Sequence, residues 1–205
     1  MMKVVVVTGG IGSGKSEVCR ILSEMGLDLQ YDADDRVKRL YSEHPSLLYD
    51  IESQIGCKLR DDAGMFVPSR LAERIFADAD ALKLVESLVF PALMDDFKEF
   101  CTINPGHEFV IFESATILEK PQFDGFGDVV ILVDAPFGVR LKRACVRDNA
   151  DRDKVLARMS NQKLMNLLSE GLTDPRIDAV IMNDGTVEDL EAKVRKMVET
   201  NLNDC

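Results

Sequence analysis

No stretch of this 205-residue chain approaches the roughly 20 consecutive apolar residues that a membrane-spanning helix needs. A secretory leader is not expected either, because Val4–Val7 run straight into a glycine-rich loop rather than toward a small-residue cleavage site. The five cysteines (Cys19, Cys57, Cys101, Cys145 and Cys205) are odd in number and show no C-x-x-C spacing. Reduced thiols in a cytoplasmic protein are therefore expected. Histidine is scarce. His44 and His107 stand alone beside Pro45 and Gly106 and read as surface loop residues, and no cluster of side chains has metal-ligand spacing. Positive charge is in deficit, with 25 Lys and Arg against 36 Asp and Glu and a formal net charge of −11. That balance argues against general binding to nucleic acid or to anionic membranes. Internal repeats and low-complexity segments are missing as well.

What the chain does have is apolar residues, at 46% of the total, enough to bury a core. Its length suits one core with insertions. The sharpest local signal is Thr8-Gly9-Gly10-Ile11-Gly12-Ser13-Gly14-Lys15-Ser16, which fits the phosphate-loop pattern G-x-x-x-x-G-K-[ST]. Its context is the one that the mechanism requires. The valine run ahead of it reads as a strand covered on both faces. Behind it, Val18, Ile21, Leu22 and Met25 follow the helical period and Gly26 marks a stop. In such a loop the backbone N–H groups of Gly12, Ser13, Gly14 and their neighbours face one anion at a helix N-terminus. Lys15 reaches the β- and γ-phosphates and the Ser16 hydroxyl ligates Mg²⁺ that arrives with the nucleotide. The expected ligand is a nucleoside triphosphate.

Further strands are expected at Leu29–Ala33, Phe109–Phe112, Val129–Val133 and Ala179–Met182. Their carboxyl ends carry Asp32, Glu113, Asp134 and Asn183. If the second strand runs on through Asp32-Ala33-Asp34, the two carboxylates share a face. From Asp35 to about Pro105 the period is helical throughout. Pro45 and Pro68 start helices, Gly56 closes one, and a longer helix from Leu82 to Cys101 is expected to break or kink at Pro91. The order describes an α/β fold: a five-stranded parallel sheet with helices on both faces, interrupted by a helical excursion. A helix after Pro136 places Arg140, Arg143 and Arg147 on one face. From Arg140 to Lys163 there are eight basic residues against Asp148, Asp151 and Asp153. This basic stretch suits a polyanionic ligand and a mobile lid over about 140–170. The last helix, with Leu190, Val194 and Met197 inward, looks structural.

With these residues in place, the chain resembles the dephospho-CoA kinase family. The resemblance rests on the nine-residue loop, Asp32-Ala33-Asp34, Glu73-Arg74-Ile75-Phe76, the Arg143/Arg147 spacing, Gln162 and Asp178-Ala-Val-Ile-Met-Asn183, and it runs from about Lys3 to Arg195. It implies a P-loop nucleoside-triphosphate hydrolase fold and ATP-dependent phosphorylation of the ribose 3′-hydroxyl of dephospho-CoA. It implies a nucleotide core over 1–34 and 106–205, and a helical acceptor domain (CoA-binding) over 35–105. The sequence departs from the family pattern at Phe90-Pro91, where His-Pro is common, so no histidine contact is carried over there. It also has Ala115-Thr116-Ile117-Leu118-Glu119 after the third strand, and Glu17 where threonine is frequent.

The expected roles follow from phosphoryl-transfer chemistry, which asks for positioning and charge neutralisation. Asp34 accepts the proton of the attacking hydroxyl, with helix capping as the plainer alternative. Asp32 and Glu113 contact magnesium-bound water. Arg143 and Arg147 contact ATP or the transferring group, with Arg140 a weaker candidate. Glu17 lies within the ATP loop, Asn183 at the adenine, and Arg74 either at acceptor phosphates or in a structural ion pair. Two rival functions stay open at this stage. A shikimate-type kinase also places D-x-D after its second strand. A GTP-dependent switch is suggested by D-x-x-G at Asp61–Gly64 and Asp124–Gly127, although N-K-x-D is missing. Oligomeric state is not legible.

Overall fold

The structure, a computed structural model, describes residues 2–169, 171 and 173–202. Cys205 and position 170, at the end of the expected lid, lie outside the described residues. The chain forms two compact units: residues up to Asp32 together with those from Gly106 onward, and Ala33–Pro105.

The first unit is built on a five-stranded, fully parallel sheet in the order β2-β3-β1-β4-β5. The strands are β1 (Lys3–Gly9), β2 (Gln30–Asp32), β3 (Phe109–Glu113), β4 (Val129–Asp134) and β5 (Ala179–Met182). Central β1 has neighbours on both edges, and Val5, Val6 and Val7 are entirely buried. Full burial of such side chains is worth about 1.5–3 kcal/mol each. On one face the sheet residues Val5, Val7, Ile111, Ile131 and Val133 pack with α1 (Lys15–Glu24) and α9 (Val187–Asn201). Leu190, Val194 and Met197 do face this core, as expected. On the other face Phe112 meets Phe126 edge-on at 4.8 Å and stacks with Tyr31 at 5.4 Å. Between β4 and β5 lie α6 (Phe137–Asp148), α7 (Arg152–Ser160) and α8 (Lys163–Ser169). The basic stretch thus folds as three short helices, and Leu141, Ala144, Val155 and Met159 form a small core that also takes Ile11.

The second unit contains α2 (Ala33–Glu43), α3 (Pro45–Ile55), α4 (Pro68–Ala77) and α5 (Ala79–Ile103) around its own core of Leu48, Ile51, Leu59, Val85 and Val89. Pro45 and Pro68 occupy first-turn positions, where a missing N–H costs nothing. Asp78 caps α5 by accepting from the N–H groups of Asp80 and Ala81 at 2.9 and 3.2 Å. Two expectations need correction. The helix does not break at Pro91: α5 runs through it, because Val85, Val89, Leu93 and Phe97 keep one buried face on both sides. The second strand is also shorter than Leu29–Ala33. It ends at Asp32, and Ala33 already begins α2, so Asp34 lies in a first helical turn and not on a shared strand face with Asp32. A carboxylate at a helix N-terminus is favoured by the backbone dipole, which explains the early switch.

Candidate phosphate-transfer site

The parallel register aligns the carboxyl ends of four strands. Val7 pairs with Glu113, Asp32 pairs with Glu113, and Gly9 pairs with Val133, one residue before Asp134. In open α/β sheets this edge is where ligands bind. The loop 8–16 leaves β1 here and turns into α1 at Gly14. Gly12 and Gly14 adopt φ of 76° and 100°, which L side chains rarely take. A methyl on Gly12 would also strike the Arg140 carbonyl, and one on Gly14 the Asn183 amide. Gly14 offers no side chain to cap α1, so its first N–H groups and its positive dipole end remain for an anion.

The side chains around the loop are bonded in a definite pattern. Lys15 Nζ donates to the Gly9 carbonyl at 3.1 Å. The Ser16 hydroxyl donates to Glu113 Oε1 at 3.0 Å. Burial pushes the Glu113 carboxyl above its ordinary value, partly offset by the Ser16 hydrogen bond and by Lys15, while Asp32 adds to the rise. Burial and the adjacent Glu113 push the Cys19 thiol well up, which makes it an unreactive core residue. Asn183 is buried and uses both ends of its amide: Nδ2 donates to the Ser13 carbonyl at 2.9 Å and Oδ1 accepts from Arg143 at 3.3 Å. Arg143 also donates to the Asn183 carbonyl at 3.3 Å.

The expected residues fall into three groups. Gly12, Ser13, Gly14, Lys15, Ser16, Arg143, Asn183 and Glu113 come together at this edge, with Asp32 opposite Glu113 in register. Glu17 and Arg147 are engaged elsewhere, Glu17 with Arg20 at 2.6 Å and Arg147 with Asp148 at 2.7 Å. Asp148 also takes Arg158 at 2.6 Å, and these two guanidinium groups hold its carboxyl down at about 2. Asp34 and Arg74 belong to the second unit. Asp34 is exposed in the first turn of α2, and Arg74 pairs with Asp78 at 2.7 Å, the structural alternative.

Arg140, ranked below its two neighbours, is the most buried of the three. Its Nε donates to the Ile11 carbonyl at 3.2 Å. Gln162, known at the outset only from the resemblance, accepts from the Ile11 N–H at 2.8 Å. Two carboxylates and a hydroxyl supply only oxygen donors at this edge, the set that a hard cation such as Mg²⁺ takes. Ser16, Glu113 and Asp32 therefore fit that ion. Among the described residues no helix is long and apolar enough to cross a membrane.

Comparison with known proteins agrees with this geometry. A family model for dephospho-CoA kinase matches residues 3–189. A dephospho-CoA kinase from Porphyromonas gingivalis is 35% identical over 168 residues, covering 82% of this chain and 81% of the relative. Another from Chlorobaculum tepidum is 32% identical over 204 residues, covering 96% and 93%. Among solved structures, TT1252 from Thermus thermophilus superposes with a TM-score of 0.81 at 26% identity over 97% of both chains. A shikimate kinase from Acinetobacter baumannii shares the fold more distantly, with a TM-score of 0.52 at 17% identity over 98% and 95%. The match spans all the strands of the sheet and the whole helical insertion, and the chain belongs to the dephospho-CoA kinase family.

Proposed function

We infer that the chain catalyses its family's reaction, ATP-dependent phosphorylation of dephospho-CoA in coenzyme A synthesis, and that the acceptor is the ribose 3′-hydroxyl. The observation that carries the reading is the phosphate loop running into α1, with Lys15 and Ser16 beside Glu113 at the carboxyl edge of the sheet.

In this reading the N–H groups of Gly12, of Gly14 and of the first residues of α1 hold the β-phosphate, with Ser13 shaping the loop through its own bond to the Gly10 carbonyl. Lys15 leaves the Gly9 carbonyl to neutralise charge on the β- and γ-phosphates, and Arg143 extends a guanidinium from α6 toward the transferring group. Arg147 reaches ATP after releasing Asp148. Mg²⁺ bound with ATP would supply charge neutralisation on the phosphates, and Ser16, with Asp32 and Glu113 through water, would hold it. Asn183 fixes the loop from behind while its backbone lines the adenine side. Asp34 accepts the proton of the ribose hydroxyl. An ordinary aspartate is already ionised at neutral pH and needs no special tuning for this. Residues 35–105 receive the acceptor, with Arg74 exchanging Asp78 for an acceptor phosphate. The segment 140–170 acts as a lid over the nucleotide, and the enzyme works in the cytoplasm with reduced thiols.

A coupled ADP-release assay tests the reading, using ATP and Mg²⁺ with dephospho-CoA, shikimate, nucleoside monophosphates or no acceptor. Turnover is expected with dephospho-CoA alone. Faster turnover with shikimate, or ADP release as fast with no acceptor as with dephospho-CoA, would overturn it.

A further inference from the structure

Loop residues 11–14 form a pattern that the roles above leave unexplained. A trans peptide points its C=O and the following N–H in opposite directions, so whatever grips a carbonyl also aims the next N–H. The Ser13 carbonyl is gripped by Asn183 Nδ2 at 2.9 Å, which turns the Gly14 N–H the opposite way. The Ile11 carbonyl is gripped by Arg140 Nε at 3.2 Å, which does the same for the Gly12 N–H. Both gripping groups are buried: Arg140 is 6% exposed and Asn183 is 7%. Both N–H groups are thereby directed away from the side chains that grip the carbonyls.

We propose that Arg140 is a positioning residue for nucleotide binding, fixing the tip of the phosphate loop so that the Gly12 N–H faces the phosphates. Three features support this over an incidental ion pair. The guanidinium fills the space that Gly10 leaves by having no side chain, while the Arg140 backbone carbonyl lies against Gly12, so one residue of α6 shapes the loop at two points. Its remaining donors reach Asp134 Oδ1 at 3.4 Å, which keeps its charge paired, and Gln162 Oε1 at 3.5 Å. Burial alone pulls the Arg140 pKa down, and the Asp134 carboxylate opposes that fall. The same Gln162 oxygen accepts the Ile11 N–H at 2.8 Å, so residue 11 is held at both its N–H and its C=O. Gln162 joins α7 to α8, which ties the loop tip to the segment proposed as the lid. The guanidinium also sets a full positive charge behind the cradle without touching the reacting atoms.

The inference rests on the reading that the loop binds ATP, and the test separates the two. ATP affinity is titrated directly for the parent protein and for Arg140→Met, Arg140→Lys, Gln162→Ala and Lys15→Ala, alongside KM for ATP and for dephospho-CoA. Arg140→Met should weaken ATP at least tenfold while KM for dephospho-CoA stays within threefold. Arg140→Lys should recover part of the loss, and Gln162→Ala should show the same ATP-selective pattern at about threefold. If Arg140→Met does not fold, the lysine and Gln162 variants decide by the same ATP-selective criterion. ATP affinity within twofold of the parent in the folded variants, or equal rises in both KM values, would overturn the role of Arg140. Parent-like ATP affinity in Lys15→Ala would instead overturn the loop reading itself.

Discussion

The Ser16 hydroxyl donates to the Glu113 carboxylate at 3.0 Å, joining the first turn of α1 to the last residue of β3. This contact sits where two opposing demands meet. Burial disfavours the Glu113 charge and raises its pKa above the ordinary value of 4.5, while a role beside magnesium requires that charge. The sign for stability follows directly. A carboxyl with a raised folded-state pKa binds more protons when folded, so its contribution is full below 4.5 and is lost as pH rises through the folded value. Glu113→Gln should therefore leave thermal stability at pH 7 unchanged or slightly higher. Activity should move the other way, falling roughly tenfold to a hundredfold with a higher Mg²⁺ requirement. The parent's acid limb of kcat/KM should also lie above the ordinary glutamate range. Thermal melts of both proteins at pH 7, with a magnesium titration of activity at several pH values, check the three outcomes.

Lys15 rests on the Gly9 carbonyl, a contact that the proposed reading has it exchange for phosphate oxygens. Lys15→Ala should lower turnover by roughly a thousandfold, equivalent to about 4 kcal/mol of lost transition-state stabilisation. Parent-like turnover in the ADP-release assay would remove the loop from the mechanism.

Ser13 contributes through its backbone. Its N–H donates to the Gly10 carbonyl at 3.1 Å and its own carbonyl takes Asn183, whereas its hydroxyl is buried with no partner among the described residues. Removing an unsatisfied hydroxyl costs little or is stabilising. Ser13→Ala should keep KM for ATP within about twofold and the melting temperature at or above that of the parent, within the ~0.5 kcal/mol expected of a neutral substitution. A tenfold rise in KM would show that the hydroxyl itself contacts the nucleotide.

The sequence made the strand, loop and first helix legible because their signals are local: a valine run, glycines at fixed spacing and a helical apolar period. The acidic ends Glu113 and Asp134 were legible for the same reason. Arg140 was legible only as a weaker candidate and Gln162 only through the resemblance, since their shared grip on Ile11 spans 129 and 151 residues. Asn183 was placed at the sheet edge correctly, but its amide bonds to Ser13 and Arg143 depend on a crossover that no periodicity reveals.

Asp34 illustrates a local misreading with a mechanistic consequence. Strand alternation would have paired it with Asp32, but α2 begins at Ala33 and gives the two carboxylates separate settings. Their substitutions should therefore separate too. Asp34→Asn should slow phosphoryl transfer by about 10²–10⁴-fold with ATP affinity retained, as expected for loss of a proton acceptor. Asp32→Asn should raise the Mg²⁺ requirement instead. Single-turnover transfer measured with saturating nucleotide distinguishes the two, and an unchanged transfer rate in Asp34→Asn would refute its assignment as the base.

Pro91 poses the opposite case, a local breaker overruled by packing. It lies on the exposed side of α5, while Val85, Val89, Leu93 and Phe97 hold the buried side continuous. Proline removes one backbone donor and crowds the carbonyl one turn back, at a cost of about 3 kcal/mol in a helix interior. An exposed position lets water satisfy the freed carbonyl and relieves part of that cost. Pro91→Ala should therefore stabilise the protein by about 1–2 kcal/mol, raising the melting temperature by roughly 2–8 °C. KM for both substrates should stay within twofold. A lower melting temperature would mean that the proline ring at position 91 itself contributes to the packing of α5 within its unit.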